Sequence, residues 1–461
     1  MNQKLSIKEK VGYGLGDFAS SMFWKIFSVY LLYYYTDVFG LPAAVVGTMF
    51  LVTRIWDTAF DPIVGIVADR TETKWGKFRP FILWVAVPFG LIGILTFTAP
   101  DLSPEGKIIY AYITYTLMMM VYSAINVPYA SLMGVMTSDI KERTTLSTYR
   151  FVFAFAGSIL VLAAAEPLVD FFSNSIGTSL SKSWQLTVTI FAVIASALFL
   201  LTFAWTKERI KPQKEEKNRL SDDLKDLAKN KPWFILLGAG VATLIFNSLR
   251  DGSAIYYFKY YIVNQEAFNI SALNLSINYS SLYLVLGQAA NIVGVVLAKP
   301  VSDKIGKKRT FAVAMVIAAV LSAFFYLFNE KDLVLIFTFQ FLISICAGSI
   351  FPLLWSMYAD IADYSEWKTG RRATGLIFSS SSMSQKLGWT LGGALTGWFL
   401  AIFGFEANIV QAEATQTGLK MMMSIVPATG ALISMFFILF YSLSDEKMQE
   451  ISRELTKRRD K

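Results

Sequence analysis

A chain of 461 residues that is 54% hydrophobic and only 16% charged is too apolar for a water-soluble protein, where about a quarter of residues carry charge; a polytopic membrane protein is the class that remains. With no histidine and one cysteine, Ser-His-Asp and Cys-His catalysis, histidine metal centres, an internal disulfide and a cysteine zinc site are excluded. No G-x-x-x-x-G-K-[ST] phosphate loop occurs either, which argues against an ATP motor within the chain.

The start, "MNQKLSIKEK", is polar, and the first apolar segment is too long for a signal-peptide core and lacks a small-residue cleavage site. It reads as a retained membrane helix. Segments long enough to span a bilayer are expected near residues 10–37, 43–69, 79–99, 107–135, 145–171 and 184–206. Six more are expected near 232–263, 274–302, 309–329, 333–359, 375–404 and 416–443. The fold class is therefore all-α, with about twelve transmembrane helices. The longest polar break, "KERIKPQKEEKNRLSDDLKDLAKNKP", divides the chain into a bundle at 1–206, a linker at 207–231, a second bundle at 232–445 and a tail at 446–461. Cys346, in "FLISICAGSI", reads as a small buried hydrophobe.

The loops alternate in charge. One set carries Arg70, Lys74, Lys77 and Arg79, then Lys141 and Arg143, then Lys304, Lys307, Lys308 and Arg309, then Lys368, Arg371 and Arg372. The other set, including "GLPAA" and "NQEAFNIS", is almost free of positive charge. The positive-inside rule places the basic loops and both termini in the cytoplasm. The net charge of +8 is thereby explained without nucleic acid, and the lipid bilayer is the only large partner implied.

The two halves echo one another. "ADRTETKWGKFRP" follows the second helix and "SDKIGKKRT" the eighth, with Asp69, Gly76, Lys77 and Arg79 repeated as Asp303, Gly306, Lys307 and Arg309. A repeat every six helices points to two related bundles with a binding site near the midplane. The basic loops, with Asp360, Asp363, Glu366 and Arg371 of "ADIADYSEWKTGRR", are expected to form a cytoplasmic latch of charge pairs that hold one conformation and break in the other.

Charges inside the apolar segments are costly and mark function or pairing. In "RIWDTAFDP", Asp57 and Asp61 stand four apart, on one helix face, with Arg54 one turn earlier. Two carboxylates exceed one basic neighbour, so cation coupling and a buried ion pair are both open. In "GYGLGDFASSMFWKIF", Asp17, Ser21 and Lys25 share roughly one face. Arg250 and Asp251 lie mid-span in "NSLRDGSAIYYF" and point about 100° apart, so they need not pair with each other.

The stretches "YGLGDFAS", "YYYTDVFGL", "RIWDTAFDP", "WGKFRPF", "NVPYASL" and "ADYSEWKTGRR" together resemble the signatures of the glycoside–pentoside–hexuronide:cation symporters, a branch of the major facilitator superfamily, almost end to end. The resemblance implies sugar uptake by alternating access, driven by H⁺ or Na⁺, by a protein of the bacterial inner membrane that works as a monomer, with no enzymatic chemistry and no cofactor. It implies a cation site at Asp57 and Asp61, with the helix-4 hydroxyl of Ser123. Phe60 departs from the sodium-using members, which can carry an amide there. A hard cation wants several oxygen ligands, whereas a proton needs one carboxylate, so H⁺ is favoured over Na⁺.

The resemblance also implies a sugar site from Asp17, Ser21, Lys25, Asn126, Arg150, Arg250, Phe351, Ser382 and Lys386, with Tyr122, Tyr129 and Trp389 near it. Ser21 and Asn126 stand where the melibiose-carrying member has acids, and Lys25 adds a positive charge. A positive pocket suited to a uronate is the expectation, with Na⁺-coupled carriage of neutral pentosides or oligosaccharides as the alternative. A membrane-embedded enzyme or a sugar sensor would want catalytic loops or a signalling domain, neither of which is visible.

Overall fold

The computed structural model of the chain describes residues 5–137, 140–209, 227, 229–263, 266–270, 275–369 and 374–459. Fourteen helices follow in order among the described residues. The first six are α1 Ile7–Lys25, α2 Ala43–Arg70, α3 Arg79–Thr96, α4 Pro104–Met136, α5 Ile140–Asp170 and α6 Leu180–Trp205. Then come α7 Lys231–Tyr260, α8 Tyr279–Ile305, α9 Lys307–Phe325, α10 Leu333–Thr369 and α11 Thr374–Ile402. The last three are α12 Glu413–Met423, α13 Ile425–Leu439 and α14 Asp445–Arg459. Helix α1 runs on through π-helical and α-helical turns as far as Val38.

Among the described residues, ten segments are long and apolar enough to cross a membrane: α2 to α10, and α12 with α13 taken as one. Helix α1 with its continuation and the 29-residue α11 complete the twelve-helix all-α fold expected from the sequence. Large apolar side chains such as Ile55, Val193, Val296 and Phe436 face outward, as lipid-facing positions should. Helix starts follow ordinary capping rules. Ser6 accepts the Glu9 N–H while the Glu9 carboxylate accepts from the Ser6 backbone, a reciprocal cap. Ser103 and Ser179 cap α4 and α6.

Three features depart from the sequence reading. A short antiparallel hairpin, β1 Glu266–Ile270 and β2 Leu275–Asn278, precedes α8. The stretch "ADIADYSEWKT", expected as a loop, is the last part of α10, because no glycine or proline interrupts it. The final membrane helix is broken at Ser424, which has φ −127° and ψ −87°. Pro427 stands where the donor to the Met423 carbonyl would be and has no N–H to give.

Two compact units are formed. Unit 1 holds Met1–Lys214, Phe258–Val285 and Leu400–Gln411. Its interior is aromatic: Tyr30, Tyr34 and Phe97 surround Trp184 with ring centroids 5.4–6.4 Å away. In the YGLGDF stretch, a Cβ on Gly16 would enter the Tyr129 ring, so glycine is what lets α1 meet α4 there. Unit 2 holds Glu215–Tyr257, Leu286–Phe399 and Ala412–Lys461. Its tail, α14, buries Met448, Ile451 and Leu455 and accepts the Trp367 indole N–H on Glu454, 2.6 Å away.

Candidate functional site: intramembrane charge pairs

In unit 1, α2 presents Asp57 to α4. The Ser123 hydroxyl donates to Asp57 Oδ1 at 2.7 Å, and Arg54 Nη1 donates to Oδ2 at 2.9 Å. Asp57 is only 1% exposed. The Arg54 guanidinium also lies 5.1 Å above the Trp24 ring of α1. Asp61 follows one turn later on α2. Asp57 is thus paired with Arg54, as the ion-pair reading of "RIWDTAFDP" has it, and is also joined to the helix-4 hydroxyl.

A second pair ties α1 to α5. Arg150 donates to Asp17 through Nε, and its guanidinium stands 5.5 Å from the Tyr129 ring centroid. Tyr129 stacks on Tyr13 at 4.8 Å and donates its hydroxyl to the Tyr13 carbonyl. Lys25 is buried farther along α1. Asn126 accepts on Oδ1 from Ser20 Oγ at 2.6 Å and donates to the Tyr122 carbonyl. Ser20 is thus an α1 hydroxyl that meets Asn126. Arg150 is thus paired with Asp17, and Arg54 with Asp57.

In unit 2, Arg250 is buried on α7. Its Nη1 donates to the Met423 carbonyl at 2.7 Å and to Ser322 at 3.4 Å; its Nη2 donates to Gln340 at 2.8 Å. The guanidinium lies 5.2 Å from the Phe325 ring centroid. Arg250 thus serves the carbonyl that Pro427 leaves free, at the negative end of α12. Phe351 is half-buried on α10 and Lys386 on α11, and the Lys386 carbonyl accepts from Thr390. The side chain of Ser382 lies outside the described residues.

The repeated basic loops do something the sequence reading missed. Each receives a carboxylate from beyond the last helix of its own half. Glu208, just past α6, accepts the backbone N–H groups of Lys77, Phe78 and Arg79 at 2.7–2.9 Å. Asp445, just past α13, accepts the Lys307 N–H at 2.9 Å. Gly76 (φ +109°) and Gly306 (φ +88°) sit against these carboxylates, where a Cβ would collide with them. Arg79 turns to the Phe203 and Trp75 carbonyls. Of the expected latch, Lys307 pairs with Asp360 and Asp303 with Lys299, while Arg309 is exposed and Asp363 half-buried. The Asp69 side chain and Arg371 lie outside the described residues. Glu208 and Asp445 were discoverable in "TKERIK" and "SLSDEK" as acids at equivalent places after the sixth and twelfth spans.

A further knot closes the other end of α1. Asp37, whose side chain is fully buried, accepts from Lys259 Nζ at 2.8 Å, from Thr36 at 2.7 Å and from the Tyr260 hydroxyl. The Asn408 side chain donates to the Asp37 carbonyl at 2.7 Å.

Residues 12–445 match the profile described as "MFS/sugar transport protein". The chain belongs to this family. It is 36% identical over 456 residues to the inner membrane symporter YicJ of Escherichia coli (strain K12), covering 98% of this chain and 96% of that protein. It is 35% identical over 437 residues to the isoprimeverose transporter of Lactiplantibacillus pentosus, covering 94% and 88%. It is 31% identical over 464 residues to a glucuronide carrier protein homolog of Escherichia coli (strain K12), covering 100% and 97%. Among solved structures, a bacterial homolog of the lysosomal transporter Spinster matches with a TM-score of 0.67 at 14% identity, over 96% of this chain and 97% of that one; at that identity the likeness concerns the fold alone. The chain is thus a multi-pass membrane transporter of the sugar-symporter kind, not an enzyme.

Proposed function

We propose that the protein carries a neutral glycoside, such as a pentoside or a short oligosaccharide, together with a proton. The observation that carries this reading is the pairing of Arg54 with Asp57 and of Arg150 with Asp17. Of the positive groups expected to attract a uronate, Arg150 already has a carboxylate beside it. What the Asp17–Arg150 pair offers a ligand is an adjacent acceptor and donor, which suits neighbouring sugar hydroxyls. The Tyr13–Tyr129 stack beside it offers an apolar face for sugar C–H groups.

Asp57 is the fixed member of the coupling pair, held by Arg54 and Ser123, and Asp61 is the member that takes up the proton. Phe60 between them supplies no oxygen, which suits a proton better than Na⁺. The half-site in unit 2 is contributed by Phe351, Ser382 and Lys386. By the positive-inside rule the two glycine loops and both termini face the cytoplasm, and release of Glu208 or Asp445 from its loop accompanies the change of conformation. The halves at 1–206 and 232–445, with their linker at 207–231, are the bodies that move, and a single chain suffices.

The test is uptake of labelled sugars into energised vesicles, with pH and Na⁺ varied separately. Accumulation should follow an imposed pH gradient, persist in Na⁺-depleted buffer, and be inhibited by neutral xylosides more strongly than by glucuronides. Strict Na⁺ dependence overturns the ion, and selective competition by glucuronides overturns the substrate.

A further inference from the structure

Unit 1 is more than the first half of the chain. It takes in Phe258–Val285 and Leu400–Gln411. The last residues of α7, the hairpin, the start of α8 and the segment between α11 and α12 therefore belong to the same compact body as α1 to α6. All of them lie away from the basic loops, on the outer side by the positive-inside rule.

Two groups of hydrogen bonds tie these segments in. The first is the knot at Asp37. Lys259 and Tyr260, from the last turn of α7, reach its carboxylate, and Asn408, from the segment between α11 and α12, reaches its carbonyl. Asn408 also gives its backbone N–H to the Tyr260 hydroxyl at 2.9 Å and accepts from Lys259 Nζ at 3.1 Å. It does so at φ +62°, in the left-handed region that asparagine enters more readily than most residues. Lys259 donates to the Tyr33 hydroxyl as well, at 2.9 Å. The second group is on α5. Asn278, the last residue of β2, donates through one amide nitrogen to Glu166 at 3.3 Å and to Asp170 at 3.1 Å, and Ser280 of α8 donates to Glu166. In both groups, acids of the first sequence half hold donors of the second.

Bonds of this kind suit a joint that opens. A carboxylate and an ammonium taken out of water gain little net stability from meeting, because desolvation offsets much of their attraction. When they part, water takes the place of each partner. An apolar joint would resist opening more, since every Å² of apolar surface exposed costs about 25 cal/mol. We propose that Asp37 is the linchpin of an outer clasp, which closes the outer side of the carrier and releases Lys259, Tyr260 and Asn408 each time that side opens to admit sugar. Asp37 has this place because two separate segments of the second half meet on it, while Glu166 and Asp170 hold the hairpin and the start of α8. The clasp rests on the reading that the two sequence halves are the bodies that move. Its loss removes an interaction made only in the outer-closed state, so it shifts the population toward the outer-open one.

Spin-label distances measured on the full-length protein in lipid nanodiscs test this with no sugar and no ion gradient. Cys346 is first replaced by alanine. Labels are then placed at Asp101→Cys with Val410→Cys on the outer side, or at Lys74→Cys with Lys304→Cys on the basic-loop side; all four positions are exposed. Asp37→Asn should shift the outer distance to longer values and the basic-loop distance to shorter ones. Tyr260→Phe, which removes one donor and leaves the ion pair, should shift both in the same directions by less, and it serves as the readout if Asp37→Asn does not fold. Outer labels that stay in place overturn the clasp. So does broadening of both distances, which reports lost packing rather than a released joint. Outer labels that separate while the basic-loop labels stay fixed uphold the clasp and overturn the reading of two moving halves.

Discussion

Arg54 and Arg250 are both buried in membrane-spanning helices, and the two units neutralise them differently. Unit 1 sets Asp57 against Arg54, one turn away on the same helix. Unit 2 gives Arg250 a backbone carbonyl, an amide and a hydroxyl from three separate segments. A charge met by a charge can be switched by neutralising either partner, whereas a charge capping a helix end is a fixture that holds two helices together. The comparison divides the buried cations into one met by a carboxylate and one met by neutral acceptors.

The sharpest way to break this comparison is Asp57→Asn. Removing one partner of a buried pair typically costs about 3–5 kcal/mol, so the variant should express poorly and lose gradient-driven accumulation. The double variant Arg54→Gln with Asp57→Asn should recover stability, read as a thermal midpoint in detergent, without recovering accumulation. Recovery of uphill transport in the double variant would make the pair structural, like Arg250.

Arg250→Met should leave the Met423 carbonyl without a donor and cost about 1–3 kcal/mol, lowering the thermal midpoint. Sugar affinity in equilibrium binding should stay near that of the parent. A large loss of affinity with unchanged stability would return Arg250 to the sugar site. Arg150→Gln is the counterpart in unit 1 and should weaken sugar binding.

The two glycine loops extend the comparison to the ends of the helices. Gly76→Ala should destabilise by at least about 1 kcal/mol, because alanine resists positive φ and its Cβ would strike the Glu208 carboxylate that three N–H groups hold. Gly306→Ala should cost less, since one N–H holds Asp445. Equal midpoints for the two variants would show that loop strain alone, and not the carboxylate, sets the effect.

The smallest effect is expected at Glu9, at the start of α1. Burial pushes its carboxyl up, but the Ser6 backbone and side-chain hydrogen bonds and the Arg209 guanidinium outweigh that and hold it below its ordinary range. An acid lowered in the folded state stabilises above its unfolded value, and that contribution is lost as pH falls through the folded value. Glu9→Gln should therefore lower the midpoint slightly at neutral pH, and the difference should close below the ordinary glutamate range near pH 4. A difference that persists in acid would indicate packing rather than charge.

Spans, loop charge and the intramembrane carboxylates Asp17, Asp57, Asp61 and Asp251 were legible in the sequence, because lipid forces apolar runs of fixed length and makes embedded charge conspicuous. The repeat of Gly76-Lys77 in Gly306-Lys307 was legible for the same local reason. The sequence could not say that Asp17 meets Arg150, 133 positions away, or that Ser20 turns to Asn126. Those choices depend on how helices rotate against one another, and a shift of one residue turns a side chain through about 100°. The Arg150–Asp17 pair was hidden for this reason, since charge counted along the chain says nothing of which acids stand opposite which bases. The partners of Arg250 are a carbonyl, an amide and a hydroxyl brought from three distant segments, and no local pattern announces them. The sequence determined which charges enter the membrane; packing alone decided which of them are neutralised, and by what.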